Sequence, residues 1–206
     1  RPMCFRDSSL PMVLNGGTLA SIDPHPYVVP DTIRKYLYIV CDKAAGQVGI
    51  AVMEMENWLK PKWNTFRFIA HPCYYTVEDY LKSNRDNERV ARVTYENSGN
   101  TINEGPAVMK HNGKYYLSFS VNSYGTSDYQ IGQAVADSPL GPFRKLTDEE
   151  GGLLLSALAV ESQPAGETST QAPSGTGHHS FVTAGNQTFI VYHRHRDYET
   201  AGADRY

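Results

Sequence analysis

The most regular feature of the sequence is a pattern of apolar and polar positions that recurs three times. Each copy begins with a polar or charged residue, continues as a short apolar segment, turns sharply and returns as an aromatic-rich segment. The copies cover residues 22–40, 103–119 and 177–193. Short apolar runs separated by tight turns are typical of antiparallel strands joined as hairpins. The pattern therefore predicts three β-hairpins of similar build.

The middle copy carries the clearest hairpin signal and extends furthest. Asn112-Gly113 separates its two apolar runs, and both positions tolerate the positive φ angles of a two-residue hairpin turn. Residues 129–136 then predict a third strand, and residues 143–146 a fourth, outer strand. In the first copy, residues 47–53 take the third-strand part. Repeated units of four antiparallel strands indicate β-propeller blades.

The spacing of the copies predicts insertions between the units. A four-stranded blade is shorter than the intervals that separate the copies, and residues 72–97 are one candidate insertion, with a short helix expected at 76–85. Residues 163–177, rich in Pro, Gly, Ser and Thr, predict a loop. Three units account for the whole chain, whereas a propeller normally closes with at least four blades. Residues 1–206 are therefore expected to be a partial propeller domain.

One polar or charged residue near the start of each copy contributes to the candidate site. Asp23, Glu104 and His178 occupy what we interpret as equivalent places, each at the head of an innermost strand. Innermost strands of a propeller surround its central axis, so these three side chains should converge at one face. This convergence predicts a functional site near the axis.

Composition and charge exclude several classes of function. The formal net charge of -3 provides no basic surface for nucleic acid. No run approaches the roughly 18 apolar residues that span a bilayer, so no membrane partner is expected. The chain has 14 Tyr against 2 Trp and 7 Phe, a bias that favours β structure. The oligomeric state cannot be predicted from these features.

Two carboxylates give the site its predicted chemistry. Glu104 stands in Asn-Glu-Gly-Pro at the head of an apolar strand. A charged side chain next to buried β structure is unfavourable, so its presence there indicates a functional role. A carboxyl in such a place suits general acid catalysis, although an isolated Glu is more often a solvated surface charge. Asp23, followed by proline, is either a turn-forming residue or a partner that holds the proton of the acid by like-charge repulsion. Glycoside hydrolysis requires such a pair of carboxylates.

Further polar residues are candidates for binding. His178 has no second His or Cys at zinc-ligand spacing, which argues against a zinc enzyme. Arg194 and Arg196 follow an apolar strand. They either belong to a solvated strand end or form hydrogen bonds to sugar hydroxyls or to a catalytic carboxylate. His25 and Tyr124 complete the predicted substrate-binding set.

The sequence resembles glycoside hydrolase family 43. Four motifs in the family's order carry the resemblance: Ile22-Asp23-Pro24, Glu104-Gly105-Pro106 with the hairpin that follows, Ser138-Pro139-Leu140-Gly141-Pro142-Phe143, and Gly175-Thr176-Gly177-His178 followed by Tyr192-His193. The resemblance implies an all-β, five-bladed β-propeller, of which this chain covers roughly three blades. It also implies an inverting exo-glycosidase that releases α-L-arabinofuranosyl or β-D-xylosyl units from plant cell-wall carbohydrate.

The resemblance also assigns roles to the opening residues. It implies that Glu104 is the general acid, that Asp23 tunes this acid, and that His178 lies near a structural calcium ion bound largely through water; no organic cofactor is implied. The family's general base should lie well upstream of Asp23, and Asp7 is too close to Asp23 to belong to another blade. The 206 residues alone are therefore expected to be inactive, and the intact protein active.

Two other functions fit the same residues. A non-catalytic propeller that binds carbohydrate would keep the fold and lack the base, and a glycosidase of another propeller family would act with retention. Nothing that resembles a signal peptide follows Arg1, so the compartment is not defined by the sequence, although a secreted or periplasmic location is favoured over a cytoplasmic one.

Overall fold

Strands account for most of the structure, a computed structural model that describes residues 12–14, 17–19, 21–30, 32–43, 47–156 and 175–195. The strands, in chain order, are β1 (Met12–Leu14), β2 (Gly17–Leu19), β3 (Ser21–Val28), β4 (Lys35–Lys43), β5 (Gln47–Asn57), β6 (Lys60–Pro61), β7 (Arg67–Ala70), β8 (Asn103–His111), β9 (Lys114–Val121), β10 (Gln130–Ala136), β11 (Arg144–Lys145), β12 (Leu153–Leu155), β13 (Gly177–Ala184) and β14 (Gln187–His193). The all-β class predicted from the sequence is confirmed.

Three antiparallel sheets follow one another along the chain, after the small β1–β2 hairpin. In the first, β3, β4 and β5 pair in order, and β6 and β7 both pair with β5. In the second, β8, β9 and β10 pair in order, and β11 and β12 both pair with β10. The third is the β13–β14 hairpin. The predicted hairpins, third strands and outer strand of the middle unit are therefore present.

One helix of the described residues interrupts this β structure, inside the predicted insertion. Helix α1 (Val77–Arg85) is capped by Thr76, whose hydroxyl accepts from the Asp79 N–H while the Asp79 carboxylate accepts from the Thr76 N–H. This reciprocal pair satisfies two backbone donors at the helix start. A 3₁₀ turn covers Trp63–Thr65. Within the described residues no helix has the length and apolar character needed to cross a bilayer.

The first strands of the three sheets lie side by side, with β8 in contact with both β3 and β13. Each of these strands contains a β-bulge, at which two residues face one residue of the neighbouring strand. The first bulge residue has a left-handed backbone in every case: φ is 52° at Asp23, 56° at Gly105 and 49° at His178. Bulges of this kind turn a side chain away from the regular face of a sheet.

The bulges correct one prediction about the repeat. Asp23 and His178 are equivalent, but the residue equivalent to them in β8 is Gly105, and Glu104 precedes the bulge by one residue. The sequence pattern had predicted that Glu104 is equivalent to Asp23 and His178. The hydrogen-bond ladder sets the true register, because successive residues of a strand point to opposite faces.

The main core lies between the first two sheets. One face of β4 and β5, including Tyr38 and Val52, packs with β9 residues such as Leu117 and Phe119, all fully buried. Alternate residues of the same strands, such as Ile39, form a second cluster on the opposite face. Alternate residues of these strands therefore pack in clusters on both faces of the first sheet.

A buried ion pair ties the insertion to the second sheet. Lys145 of β11 and Glu96 pair with side chains that are 1% and 0% exposed. The Lys145 ammonium also donates to the His71 carbonyl (2.7 Å) and to Oδ1 of Asn103 (2.9 Å). Glu96 accepts from the Cys73 N–H at 2.6 Å. Burial lowers the pKa of Lys145, and the Glu96 carboxylate opposes that shift.

Two histidines, one partly buried and one buried, join neighbouring sheets in their neutral form. His25 Nε2 accepts from the Val108 N–H at 3.1 Å, and His179 Nε2 lies 2.6 Å from Ser118 Oγ. Because Ser118 donates to the Ala107 carbonyl, its oxygen accepts from His179. Burial lowers the pKa of each histidine to about 4.

The histidines make the fold sensitive to acid. In the unfolded chain they take up protons near pH 6.5, whereas in the folded state they do so near pH 4, so the free energy of unfolding should fall as the pH drops through this window. His25→Gln keeps a hydrogen-bond acceptor and cannot be protonated. We expect its slope of unfolding free energy against pH to be lower by about 1.4 kcal/mol per pH unit, measured by urea unfolding between pH 4.5 and 6.5.

The exposed His111 provides the matched control for this measurement. His111→Gln should leave the slope at the value of the parent protein. An unchanged slope in His25→Gln would show that His25 is not the residue whose protonation destabilises the fold.

Candidate active site

The structure brings the three opening residues together. Asp23, Glu104 and His178 each offer one ligand-type atom, and these atoms lie within 4.8 Å of one another. The residues belong to β3, β8 and β13 and thus come from three different sheets. The convergence that the sequence pattern predicted is present in the structure.

The Glu-Gly-Pro segment explains how two of these side chains meet. The N–H of Gly105 donates to Asp23 Oδ2 at 3.0 Å. Gly105 has a φ of 56°, and a Cβ here would lie 3.4 Å from the backbone and ring of His178. Glycine suits this position because it adopts the left-handed backbone without the strain that a side chain would add.

His178 is held by its backbone and remains accessible through its ring. Its N–H donates to Ser120 Oγ at 2.7 Å, and Ser120 is the residue opposite Glu104 in the β8–β9 ladder. The ring Nε2 lies 3.6 Å from Asp23 Oδ1, and the side chain is 41% exposed. The imidazole therefore faces the carboxylate without being enclosed.

Tyr129 is the hydrogen-bond partner of Glu104. Its hydroxyl donates to Glu104 Oε1 at 2.6 Å, and the residue is 1% exposed. A Cβ at Gly177 would lie 2.0 Å from the Tyr129 ring, so the glycine of β13 makes room for this aromatic side chain. The sequence places Tyr129 at the head of the predicted third strand, but nothing there distinguishes it from the other 13 tyrosines.

A cavity of about 460 Å³ opens beside Glu104. Apart from Glu104, its walls are uncharged: Asn97, Gly99, Asn100, Thr101, Ile102, Asn122, Ser123, Tyr124 and Thr126. Amides, hydroxyls and one aromatic ring suit a neutral, hydroxylated ligand. Asp23 and His178 do not line this cavity, so it lies to one side of the three-residue cluster.

The loop that forms one wall of the cavity is held by the two segments that flank the β13–β14 hairpin. His195, which is fully buried, contacts the Tyr124 carbonyl through Nε2 at 3.0 Å. Because a carbonyl can only accept, Nε2 carries the hydrogen. The Gly175 N–H donates to the Ser127 carbonyl at 2.9 Å.

Of the four predicted substrate-binding residues, one lines the cavity, and the others lie elsewhere or outside the described residues. Tyr124 lies at the cavity with 63% exposure, whereas His25 uses Nε2 to bind the β8 backbone. Arg194 is partly buried, and its Nη1 has no hydrogen-bond partner among the described residues. Arg196 and Asp7 lie outside the described residues, as does most of the predicted loop at 163–177. Their predicted roles stay predictions.

The three-residue cluster is also the group, within the described residues, that could hold a metal ion. Calcium prefers oxygen ligands, which Asp23 and Glu104 provide. A cation bound directly to Glu104 would keep that carboxylate ionised and prevent it from donating a proton. The three residues can therefore serve both calcium binding and proton donation by Glu104 only if His178 holds the ion through water and Glu104 does not bind it directly.

Comparison with known proteins identifies relatives of this chain. Residues 9–206 match the family model described as glycosyl hydrolases family 43. A β-D-galactofuranosidase of Aspergillus niger is 36% identical over 99 residues, which are 48% of this chain and 25% of that protein. An extracellular exo-α-(1→5)-L-arabinofuranosidase of Streptomyces avermitilis is 31% identical over 117 residues, which are 54% of this chain and 21% of that protein.

Solved structures agree with the sequence relatives. A thermostable family-43 glycoside hydrolase is 30% identical, with a TM-score of 0.67 over 90% of this chain and 52% of that chain. The chain thus spans about half of its structural relative and matches a quarter or less of these two sequence relatives. The family's structures are β-propellers, which confirms the predicted fold class, while the number of blades stays a prediction. From its match over residues 9–206, the chain belongs to glycoside hydrolase family 43.

Proposed function

We propose that the protein containing this chain hydrolyses glycosidic bonds with Glu104 as general acid. The observation that carries the proposal is the meeting of Glu104 and Asp23 at one centre, beside an uncharged cavity. Glu104 gives its proton to the glycosidic oxygen while the bond to the anomeric carbon breaks, and that oxygen keeps the electron pair. Proton transfer by a positioned side chain typically contributes about 10²- to 10⁴-fold to the rate.

Asp23 and a water molecule complete the proposed inverting step. Asp23, whose carboxylate is fixed by the Gly105 N–H, opposes ionisation of Glu104 by like-charge repulsion. Water attacks the anomeric carbon from the face opposite the leaving group, as in inverting glycosidases. The general base that takes a proton from this water is proposed to come from outside the described residues. The described cluster contributes only the carboxylates of Asp23 and Glu104.

The substrate is proposed to carry a terminal α-L-arabinofuranosyl group. The related proteins are named a β-D-galactofuranosidase, an exo-α-(1→5)-L-arabinofuranosidase and an arabinoxylan arabinofuranohydrolase. All three names describe release of a five-membered ring sugar. These names favour a furanoside over the β-D-xylosyl alternative, and plant cell-wall polysaccharide as the source.

The cavity beside Glu104 is proposed to receive the leaving group. The acid must touch the oxygen that departs, and the cavity is lined by Glu104 but not by Asp23 or His178. The exposed ring of Tyr124 offers a stacking surface at this position. Arg194, Arg196 and His25 remain proposed substrate contacts.

A structural calcium ion near His178 is part of the proposal. The imidazole would hold the ion through water and leave Glu104 free to carry its proton. The ion would add positive charge close to Asp23 and stabilise its carboxylate. No organic cofactor is needed for this chemistry.

The role of Glu104 is tested by Glu104→Gln in the intact protein. The amide keeps the shape of the side chain and has no acidic proton to donate. We expect kcat/KM for a substrate with a sugar leaving group to fall by about 10²- to 10⁴-fold. The kcat/KM for a 2,4-dinitrophenyl glycoside, whose leaving group needs no protonation, should fall far less.

Glu56→Gln is the matched control, since Glu56 is an exposed carboxylate that pairs with Lys60 at 2.8 Å. It should leave kinetics unchanged. Normal turnover of the sugar substrate by Glu104→Gln would disprove the assignment. Sugar binding without turnover in the parent protein would instead favour a carbohydrate-binding propeller.

The substrate and the stereochemistry are tested together. We expect the intact protein to hydrolyse an aryl α-L-arabinofuranoside faster than the corresponding β-D-xyloside or β-D-galactofuranoside. Proton NMR should show the β-anomer of arabinose as the first product, because inversion is proposed. First release of the α-anomer would assign a retaining mechanism instead.

The calcium proposal is tested by metal analysis. The intact protein should retain about one calcium ion per chain after gel filtration, and His178→Ala should retain less. Chelation should lower the melting temperature of the parent protein and leave that of His178→Ala unchanged, because a ligand that binds only the folded state stabilises it. Equal calcium content in both proteins would place the ion elsewhere.

A further inference from the structure

Tyr129 combines three properties that set it apart from the other aromatic residues near the site. Its hydroxyl donates to Glu104 Oε1 at 2.6 Å, it is 1% exposed, and its ring packs directly on Gly177 of the adjacent sheet. The N–H of Tyr129 also donates to the Thr126 carbonyl at 3.2 Å. Both the ring and the backbone are therefore fixed, and the hydroxyl is presented to one oxygen of the acid.

We propose that Tyr129 is a positioning residue that determines which oxygen of Glu104 carries the transferable proton. This inference rests on the proposed role of Glu104 as the general acid. A phenol has one O–H, and it is donated to Oε1. Oε1 is then the accepting oxygen of the carboxyl group, and the proton of the acid is carried by Oε2.

The same hydrogen bond assists the proton transfer. The proton passes from Oε2 to the glycosidic oxygen as the bond to the anomeric carbon breaks, and Tyr129 keeps its own proton throughout. Glu104 gains negative charge in this step, and a hydrogen bond to an ionised acceptor is stronger than one to a neutral acceptor. Tyr129 therefore stabilises the transition state more than the ground state.

Removal of the hydroxyl has a signature that a loss of packing lacks. Loss of the orientation and of the donor slows reactions that need a proton from Glu104 and spares those that do not. Loss of packing alone would slow the reactions of all leaving groups equally.

The decisive variant is Tyr129→Phe, which removes one oxygen atom and retains the ring. We expect kcat/KM for a sugar leaving group to fall about 10- to 100-fold, with less than about a threefold change for a 2,4-dinitrophenyl leaving group. The loss should appear in kcat and leave KM unchanged, because the hydroxyl contacts Glu104 and acts on the proton transfer. In the Glu104→Gln background, Tyr129→Phe should have no further effect, as a double-mutant cycle measures.

Tyr95→Phe is the matched control. Tyr95 is a buried tyrosine whose hydroxyl has no hydrogen-bond partner among the described residues. Removal of this hydroxyl should leave the rates with both leaving groups unchanged.

Comparison with Glu104→Gln separates this inference from the proposed function. If Glu104→Gln loses activity while Tyr129→Phe slows all leaving groups equally, or slows none, the positioning role is overturned and the acid assignment stands. If Glu104→Gln retains normal rates, the acid assignment fails, and the positioning role fails with it.

Discussion

The buried pair of Lys145 and Glu96 is the interaction on which the position of the site depends. Two opposite charges without access to water are stable only when each is fully hydrogen-bonded, and this pair meets the requirement with carbonyl, amide and backbone N–H groups from separate segments. Asn103 both accepts from Lys145 and donates to Glu96. Because Asn103 immediately precedes Glu104, the network fixes the start of the strand that presents Glu104.

The second constraint is the bulge repeated in each inner strand. A regular strand would point its side chains only to the two faces of its sheet, where they would pack into the core. The left-handed residues Asp23, Gly105 and His178 break that alternation at the level where the three sheets meet. The site is therefore made by local irregularity in otherwise ordinary hairpins, and two of the three residues that adopt the left-handed backbone there carry side chains.

Much of this arrangement could be predicted from the sequence, because it depends on local patterns. The Asn112-Gly113 turn has φ angles of 48° and 78°, as its composition requires, and the opening residues of the three copies do converge. The one-residue offset of Glu104 could not be predicted, since register is set by the pairing of whole strands. The partnership of Lys145 with Glu96 is equally invisible, because it joins residues 49 positions apart through the fold alone.

The contact between His195 and the Tyr124 carbonyl has a consequence for how the cavity can vary among related chains. His195 follows β14 and Gly175 precedes β13, so the two segments that flank this hairpin hold the loop that carries Tyr124. The hairpin itself is less free to vary, because Gly177 of β13 makes room for the Tyr129 ring. Substitutions in the flanking segments can therefore reshape the cavity while the contact between Tyr129 and Glu104 is kept.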